Sequence, residues 1–250
     1  MADNLPVQDP ALQLPKLVVV VATYNELANL PTLIPTILAS TPHAHLIIAD
    51  DNSPDGSPEL LRALARSEPR LIPLIRTERR GYGNATLDAF RMAMDMGAQQ
   101  IATLDADFSH DPASLPLLIA ALDSADVALG SRYFQGVRVL NWHPSRLLLS
   151  LFANRYVKTI LGFPVEDATS GFRAYRSSAI EKLLSRPVQS TGYSFLVEVL
   201  YRLVAAGEQV VEVPIIYTER REGQSKMSGS VIREAIFRPW QLRLSRKYRR

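Results

Sequence analysis

The chain has no cysteine, so neither a disulfide framework nor thiolate chemistry is available to it. Its four histidines, His43, His45, His110 and His143, show no zinc-like spacing. No apolar run approaches a membrane span; the strongest, LVVVVA, is far too short. Glycine-rich phosphate loops are missing too. No GxGxxG follows the first apolar run, the GYG further on is too short for that fingerprint, and the Walker lysine motif does not occur. These absences argue against a dinucleotide-binding dehydrogenase and a P-loop enzyme. A bound nucleotide must be held by side chains and a metal. The opening MADNLPVQDPALQLP carries acids and prolines where a signal peptide has a basic region. A loosely attached arm over 1–15 and a cytoplasmic location are therefore expected.

What is present is a chain of 250 residues, 47% hydrophobic, enough for the core of one large domain. The formal net charge is only +3, but LRLSRKYRR concentrates positive charge at the C-terminus. Such an end suits a membrane surface or another polyanion, or is simply solvated; nucleic acid is not expected as a partner. Strand-like runs alternate with helical ones. KLVVVVA, AHLIIAD, LIPLIR, QIATL and DVALG read as strands, with QVVEVPIIY as a late one. Between them, Leu30, Leu33, Ile34, Ile37 and Leu38 recur at helical spacing, with Pro35 expected to kink the helix. SPELLRALAR reads as a helix capped by Ser57, and GNATLDAFRMAMDMG as one ended by Gly97. DPASLPLLIAAL opens a further helix. This order predicts an α/β fold: an open, mostly parallel, Rossmann-like sheet with helices on both faces.

Ligands of such sheets gather at the C-terminal ends of the strands. There the sequence places TYNE, DDNSPDG, DADFSH and GSRY. In a strand ending TLDAD, Asp105 and Asp107 project to the same side of the extended chain. Two carboxylates so placed repel each other unless a cation lies between them, and a hard divalent ion such as Mg²⁺ binds carboxylate and phosphate oxygens together. Acids with arginines nearby fit a diphosphate leaving group. DxD alone is a weak pattern, and turn or capping carboxylates look the same.

Longer motifs are more specific. VVVVATYNELANLPTLI, IIADDNSPDGS, RRGYGNA, LDADFSHDP, ALGSRY, EDATSGFRAYR, GYSFLVEVLYR and EVPIIYTERREGQSKMS follow in an order that resembles the dolichol-phosphate mannosyltransferases, inverting enzymes of GT-A fold in glycosyltransferase family 2. The likeness covers roughly residues 17 to 235. It implies transfer of mannose from GDP-mannose to a polyprenyl monophosphate, with Mg²⁺ or Mn²⁺ as cofactor. It further implies that Thr23, Tyr24, Asn25, Glu26 and Asp51 bind the nucleotide. Asp105 and Asp107 would hold the metal. Ser109 stands where some relatives have a glutamine ligand. Arg132 and Arg146 would hold the acceptor phosphate, and Arg220 and Lys226 would clamp the phosphates. A lipid acceptor implies peripheral contact with the cytoplasmic face of a membrane, and a small membrane-anchoring subunit stands as a further expected partner.

The expected organisation is an arm (1–15), a GT-A glycosyltransferase domain (16–235) and a basic amphipathic tail (236–250). NWHPSRLLLSLFANRYVKTILGF and IFRPWQLRLSRKYRR both have interfacial composition, the second more strongly. His110 is expected to be structural. Asp167 is expected to orient Arg173, to touch sugar hydroxyls or to form a plain salt bridge. Two other readings stand beside the first: a UDP-sugar-dependent polyprenyl-phosphate sugar transferase, and a non-catalytic subunit of the same fold.

Overall fold

The computed structural model describes residues 16–245 apart from 79, 191, 193 and 220–228. The expected arm (1–15), Arg220, Lys226 and the last five residues lie outside the described residues.

The first half follows the predicted alternation: β1 Leu17–Thr23, α1 Leu30–Ser40, β2 Ala44–Asp50, α2 Ser57–Ala65, β3 Leu71–Ile75, α3 Tyr82–Asp95, β4 Gln100–Thr103, α4 Leu115–Ala121 and β5 Val127–Ser131. Then come β6 Val139–Leu140, α5 Pro144–Leu161, β7 Arg173–Arg176, α6 Ser177–Leu184, α7 Ser194–Ala205, β8 Val210–Pro214, β9 Tyr217–Thr218 and α8 Gly229–Leu244. Seven strands form one sheet in the order β3-β2-β1-β4-β7-β5-β8, and β6 and β9 pair separately. The chain moves outward from β1 through β2 to β3, then returns to place β4 on β1's other side. The C-terminal ends of β1 and β4 therefore flank the switch point, where such sheets bind ligands.

The apolar run of β1 shows why the sheet is two-sided. Val18 and Val20 join one buried layer with Phe90, Ile180 and Leu200, whereas Val19 and Val21 join the other with Leu33, Ile37 and Leu118. Side chains alternate along a strand, so a continuous valine run serves both faces at once. β7 departs from the parallel pattern: it lies antiparallel between β4 and β5, pairing Ala102 with Ala174 and Leu129 with Arg173.

One local expectation is corrected, that of the cap of α2. α1 runs through Pro35 as one helix, with Leu33, Ile34, Ile37 and Leu38 buried, so packing of its apolar face outweighs the lost backbone bond. Ser57 caps nothing; Asp55 takes that role, its carboxylate accepting from the N–H groups of Ser57 and Leu27 at 3.0 Å each. α8 spans 229–244 and so crosses the expected start of the tail at 236.

Candidate active site

Asp50, wholly buried at the end of β2, organises the first loops. It accepts from the Thr23 hydroxyl at 2.9 Å and from the Ser53 N–H and hydroxyl at 2.7 and 2.8 Å. Ser53 in turn accepts from the Asn25 N–H at 2.9 Å. Asn25 and Asn52 both adopt left-handed backbone, φ 60° and 53°, which asparagine tolerates better than most residues. The Thr23–Glu26 turn is thus tied to the β2 end by an interior carboxylate, and Glu26 accepts from Asn29 Nδ2 at 2.8 Å.

Asp51 faces protein donors. Arg76 forms a buried ion pair with it, and the Gly81 N–H donates to its other oxygen at 2.5 Å. Arg76 also donates to Asp88 at 3.0 Å, so one guanidinium joins β2, β3 and α3. Gly81, with φ 124°, holds a conformation that glycine alone adopts readily, and this aims its N–H at Asp51. Sequence reasoning missed Arg76; a lone arginine after a weak strand carried no pattern.

Asp105 and Asp107 lie beyond β4, which ends at Thr103. The extended-strand argument for their shared side is therefore corrected: a turn with Phe108 at φ 58° places them. Asp107 accepts from the Ser109 N–H at 3.1 Å and from its hydroxyl at 2.5 Å. Ser109 is buried, so its hydroxyl orients Asp107. His110, also buried, accepts the Asp105 N–H on Nδ1 at 3.2 Å and lies 5.1 and 5.2 Å from the rings of Phe172 and Tyr217. Burial pulls its pKa down despite the nearby Asp105 and Asp107 charges, which favours the neutral ring. A Cβ on Gly171 would lie 3.1 Å from both Asp105 Oδ1 and the Tyr82 hydroxyl, so "SGFR" supplies the space beside the first acid. Burial, and then the charge of Asp105, raise the Tyr82 pKa well above its ordinary value, so its hydroxyl keeps its proton.

Arg132 and Arg146 are brought together by Trp142. The Arg146 guanidinium lies 4.3 Å from the Trp142 ring centre, and that of Arg132 lies 5.7 Å from it. Tyr133 and Tyr217 flank Arg132 at 5.3 Å each. Asp167 grips Arg132 in a two-pronged pair, Nε and Nη2 each at 2.6 Å, and also accepts the Arg132 N–H at 3.0 Å. Thr169 accepts from the same Nη2 at 2.7 Å. Burial opposes both charges, but each holds the other ionised: Asp167 below the usual carboxylate range, Arg132 above its ordinary value. Of the roles open to Asp167, the salt bridge is the one observed, and its partner is Arg132. Arg173 is wholly buried and donates to the carbonyls of Ser170, Leu196 and Ala168 at 2.7, 3.0 and 2.9 Å. Arg146 pairs with Glu219. The Tyr217 pKa is pushed up to about 12 by burial and by the charge of Asp105. His110, Tyr217 and Trp142 thus form one aromatic path from the acidic turn to the two arginines.

Among the described residues no three His, Cys, Asp or Glu side chains converge as a metal cage. The partly exposed carboxylates Asp105 and Asp107 fit a divalent ion only when other oxygens, such as those of a phosphate, complete the shell.

Residues 18–184 match the family model described as "Glycosyl transferase family 2". The chain is 43% identical over 235 residues to a polyprenol monophosphomannose synthase of Mycolicibacterium smegmatis, covering 92% of this chain and 89% of the relative. It is 35% identical over 221 residues to an undecaprenyl-phosphate mannosyltransferase of Micrococcus luteus, covering 88% and 91%. Glucosyl-3-phosphoglycerate synthase from Mycobacterium tuberculosis, solved with Mn²⁺, UDP and glucosyl-3-phosphoglycerate, shares the fold with a TM-score of 0.65 at 19% identity, over 92% of this chain and 80% of that one. A mannosyltransferase from Pyrobaculum calidifontis, solved with GDP-Man and Mn²⁺, gives 0.58 at 17%, over 93% and 64%. The GT-A-like sheet, the motifs at its switch point and the extent of these matches lead to one conclusion: the chain belongs to glycosyl transferase family 2.

Proposed function

We propose that this glycosyltransferase moves mannose from GDP-mannose to a polyprenyl monophosphate, with inversion at the anomeric carbon, giving polyprenyl phosphate mannose and GDP. The observation that carries the reading is the pairing of a two-carboxylate turn at the switch point with two arginines on one tryptophan. The names of the two curated relatives support the acceptor class and the sugar. Asp105 and Asp107 would hold Mg²⁺ or Mn²⁺, which when bound supplies positive charge to a leaving diphosphate. Ser109 and His110 position those acids, from the side chain of one and the backbone of the other.

The acceptor needs no general base. A phosphate monoester has its second pKa near ~6, so much of it is a dianion at neutral pH and its oxygen can attack the anomeric carbon directly. Its difficulty is electrostatic, because it must approach a second phosphate group. Arg132 and Arg146 answer that need. Asp167 and Thr169 occupy the Nε and Nη2 side of Arg132, so Nη1 is the edge left for a phosphate oxygen. Thr23, Tyr24, Asn25, Glu26 and Asp51 surround the nucleotide end of the site. The same reading assigns Arg220 and Lys226 to the donor phosphates.

The test is a donor screen. GDP-mannose, GDP-glucose, UDP-glucose and UDP-N-acetylglucosamine are offered with a short polyprenyl phosphate, with and without chelator. The expected result is transfer from GDP-mannose alone, abolished by chelator and restored by Mg²⁺ or Mn²⁺. Transfer from a UDP-sugar would establish the other sugar specificity. No transfer from any donor would leave the non-catalytic reading.

A further inference from the structure

Arg132 and Arg146 share the Trp142 ring, but two unlike carboxylates answer them. Asp167 is wholly buried, grips Arg132 through Nε and Nη2 and also accepts a backbone N–H. Removing one partner of such a pair strands a buried charge, so this pair stays intact when ligands exchange. Glu219 meets Arg146 differently. One of its oxygens accepts from one guanidinium nitrogen, Nη1, and the Arg146 and Glu219 side chains are 34% and 40% exposed. An ion pair so open to water contributes little to stability, and an incoming anion displaces it at small cost.

The backbone on both sides of this contact is fixed. Tyr217 N–H donates to the Arg138 carbonyl at 3.0 Å, Thr218 N–H to that of Ser109 at 3.2 Å and Glu219 N–H to that of Leu140 at 3.2 Å. Arg146 stands in the first turn of α5, its N–H bonded to the His143 carbonyl at 3.0 Å. Exchange at Arg146 therefore needs only the Glu219 side chain to turn away. The first turn of a helix also favours negative charge, so guanidinium and helix end act together on whichever anion is present. In this structure that anion is the Glu219 carboxylate.

We infer that Glu219 is a resident counter-ion in the seat of the acceptor phosphate: the acceptor displaces its carboxylate from Arg146, and the return of that carboxylate helps to expel the product. The inference rests on the proposed function, which puts the acceptor phosphate on Arg132 and Arg146. A guanidinium is small, so a phosphate on Arg146 lies beside the Glu219 carboxylate whichever N–H groups it takes, and two anions so close repel. The phosphate prevails because it carries nearly two negative charges and takes two parallel N–H bonds, where Glu219 has one. Transfer turns the monoester into a diester with a single negative charge. Its hold on Arg146 weakens, and the carboxylate, tethered by β9, competes for the same nitrogens without having to diffuse there. Glu219 thus lowers the affinity for acceptor and product alike, and only the more strongly held acceptor tolerates this.

The test uses the full chain and calorimetric titration with geranyl phosphate, a short prenyl monophosphate, in the absence of donor. Glu219→Gln, Glu219→Asp, Arg146→Ala and the double variant Arg146→Ala/Glu219→Gln are compared with the wild type, after circular dichroism has shown each folded. Glu219→Gln is expected to bind geranyl phosphate about two- to fivefold more tightly than the wild type, the factor that an exposed ion pair is worth. Glu219→Asp, one methylene shorter, should fall between them. In the Arg146→Ala background the same glutamine should change nothing, because the contact it relieves is gone. With GDP-mannose present, Glu219→Gln should lower the KM for geranyl phosphate and strengthen inhibition by geranyl phosphate mannose by a like factor. Unchanged or weaker binding by Glu219→Gln would overturn the inference and make the pair a structural one. A gain that persists without Arg146 would overturn it too, as repulsion through space. Geranyl phosphate bound by the wild type but never mannosylated would refute the proposed function and leave the displacement standing.

Discussion

Gly171 and Asp167 show how single side chains set this site. Gly171 has no unusual φ, so its need for glycine is one of space. Gly171→Ala keeps the backbone but drives a methyl group toward Asp105 and Tyr82. Turnover is expected to fall on the order of ten- to a hundredfold, as for a slightly misplaced reacting group, while the melting temperature stays nearly constant. Steady-state kinetics beside a thermal melt would show both; an unchanged turnover would mean Asp105 yields freely. Asp167 is different because it is buried with its charge. Asp167→Asn leaves the Arg132 guanidinium without its anion, and the expected loss is about 3–5 kcal/mol in a urea titration. The folded-state pKa of Asp167 lies below its unfolded value, so its contribution is complete above the ordinary carboxylate range and lost as pH falls through the folded value. Wild-type stability should accordingly drop more steeply than that of the variant below about pH 4. Parallel acid limbs in the two proteins would refute the linkage.

At the scale of elements, a buried carboxylate of α7 helps to hold α8. Glu198 of α7 is wholly buried and accepts from Ser190 N–H and hydroxyl at 2.9 and 2.6 Å, from Gln189 N–H at 3.1 Å and from Arg238 Nη2 at 2.7 Å. Burial works against this carboxylate, but those donors hold its pKa below the usual range, so the pin persists at neutral pH. Arg238→Leu removes the only donor that comes from α8 in that set. Glu198 keeps its other partners, so the cost is about 1–3 kcal/mol and should be local. Hydrogen exchange would report it: faster exchange over 233–245, with β1 amides unaffected. Equal acceleration in both places would make the pin a global element of stability.

At the scale of the molecule, the sheet is completed late in the chain. β8 covers the edge of β5, register Val127↔Val210 to Ser131↔Pro214, and β5 is buried at every position. The family match ends at residue 184, before this strand. A chain stopped after Glu208 would leave β5 as an open, apolar edge, the kind of edge that pairs with other chains. It is expected to aggregate, read by size-exclusion chromatography, even though every expected metal and nucleotide residue before Arg220 is retained. A monomeric, folded product would show that β5 needs no cover.

The sequence alone was enough to establish the α/β class, the positions of β1 to β5 and the polar strand ends. Those follow from local rules: β-branched runs make strands, their alternation fills two faces, and acids after a strand end meet solvent or a cation. The family resemblance paired Arg132 with Arg146, and both guanidiniums lie against the Trp142 ring. What it could not determine was which charge answers which. Asp167 lies 35 positions from Arg132 and Asp51 lies 25 from Arg76, and such pairs carry no periodic signal. Nor could it show that β7 enters antiparallel between β4 and β5, or that two interfacial segments 80 residues apart meet through Tyr156 and Ile236. A strand or an amphipathic helix declares its own type, but its neighbour is chosen by the packing of the whole chain, and only the tertiary structure decides it.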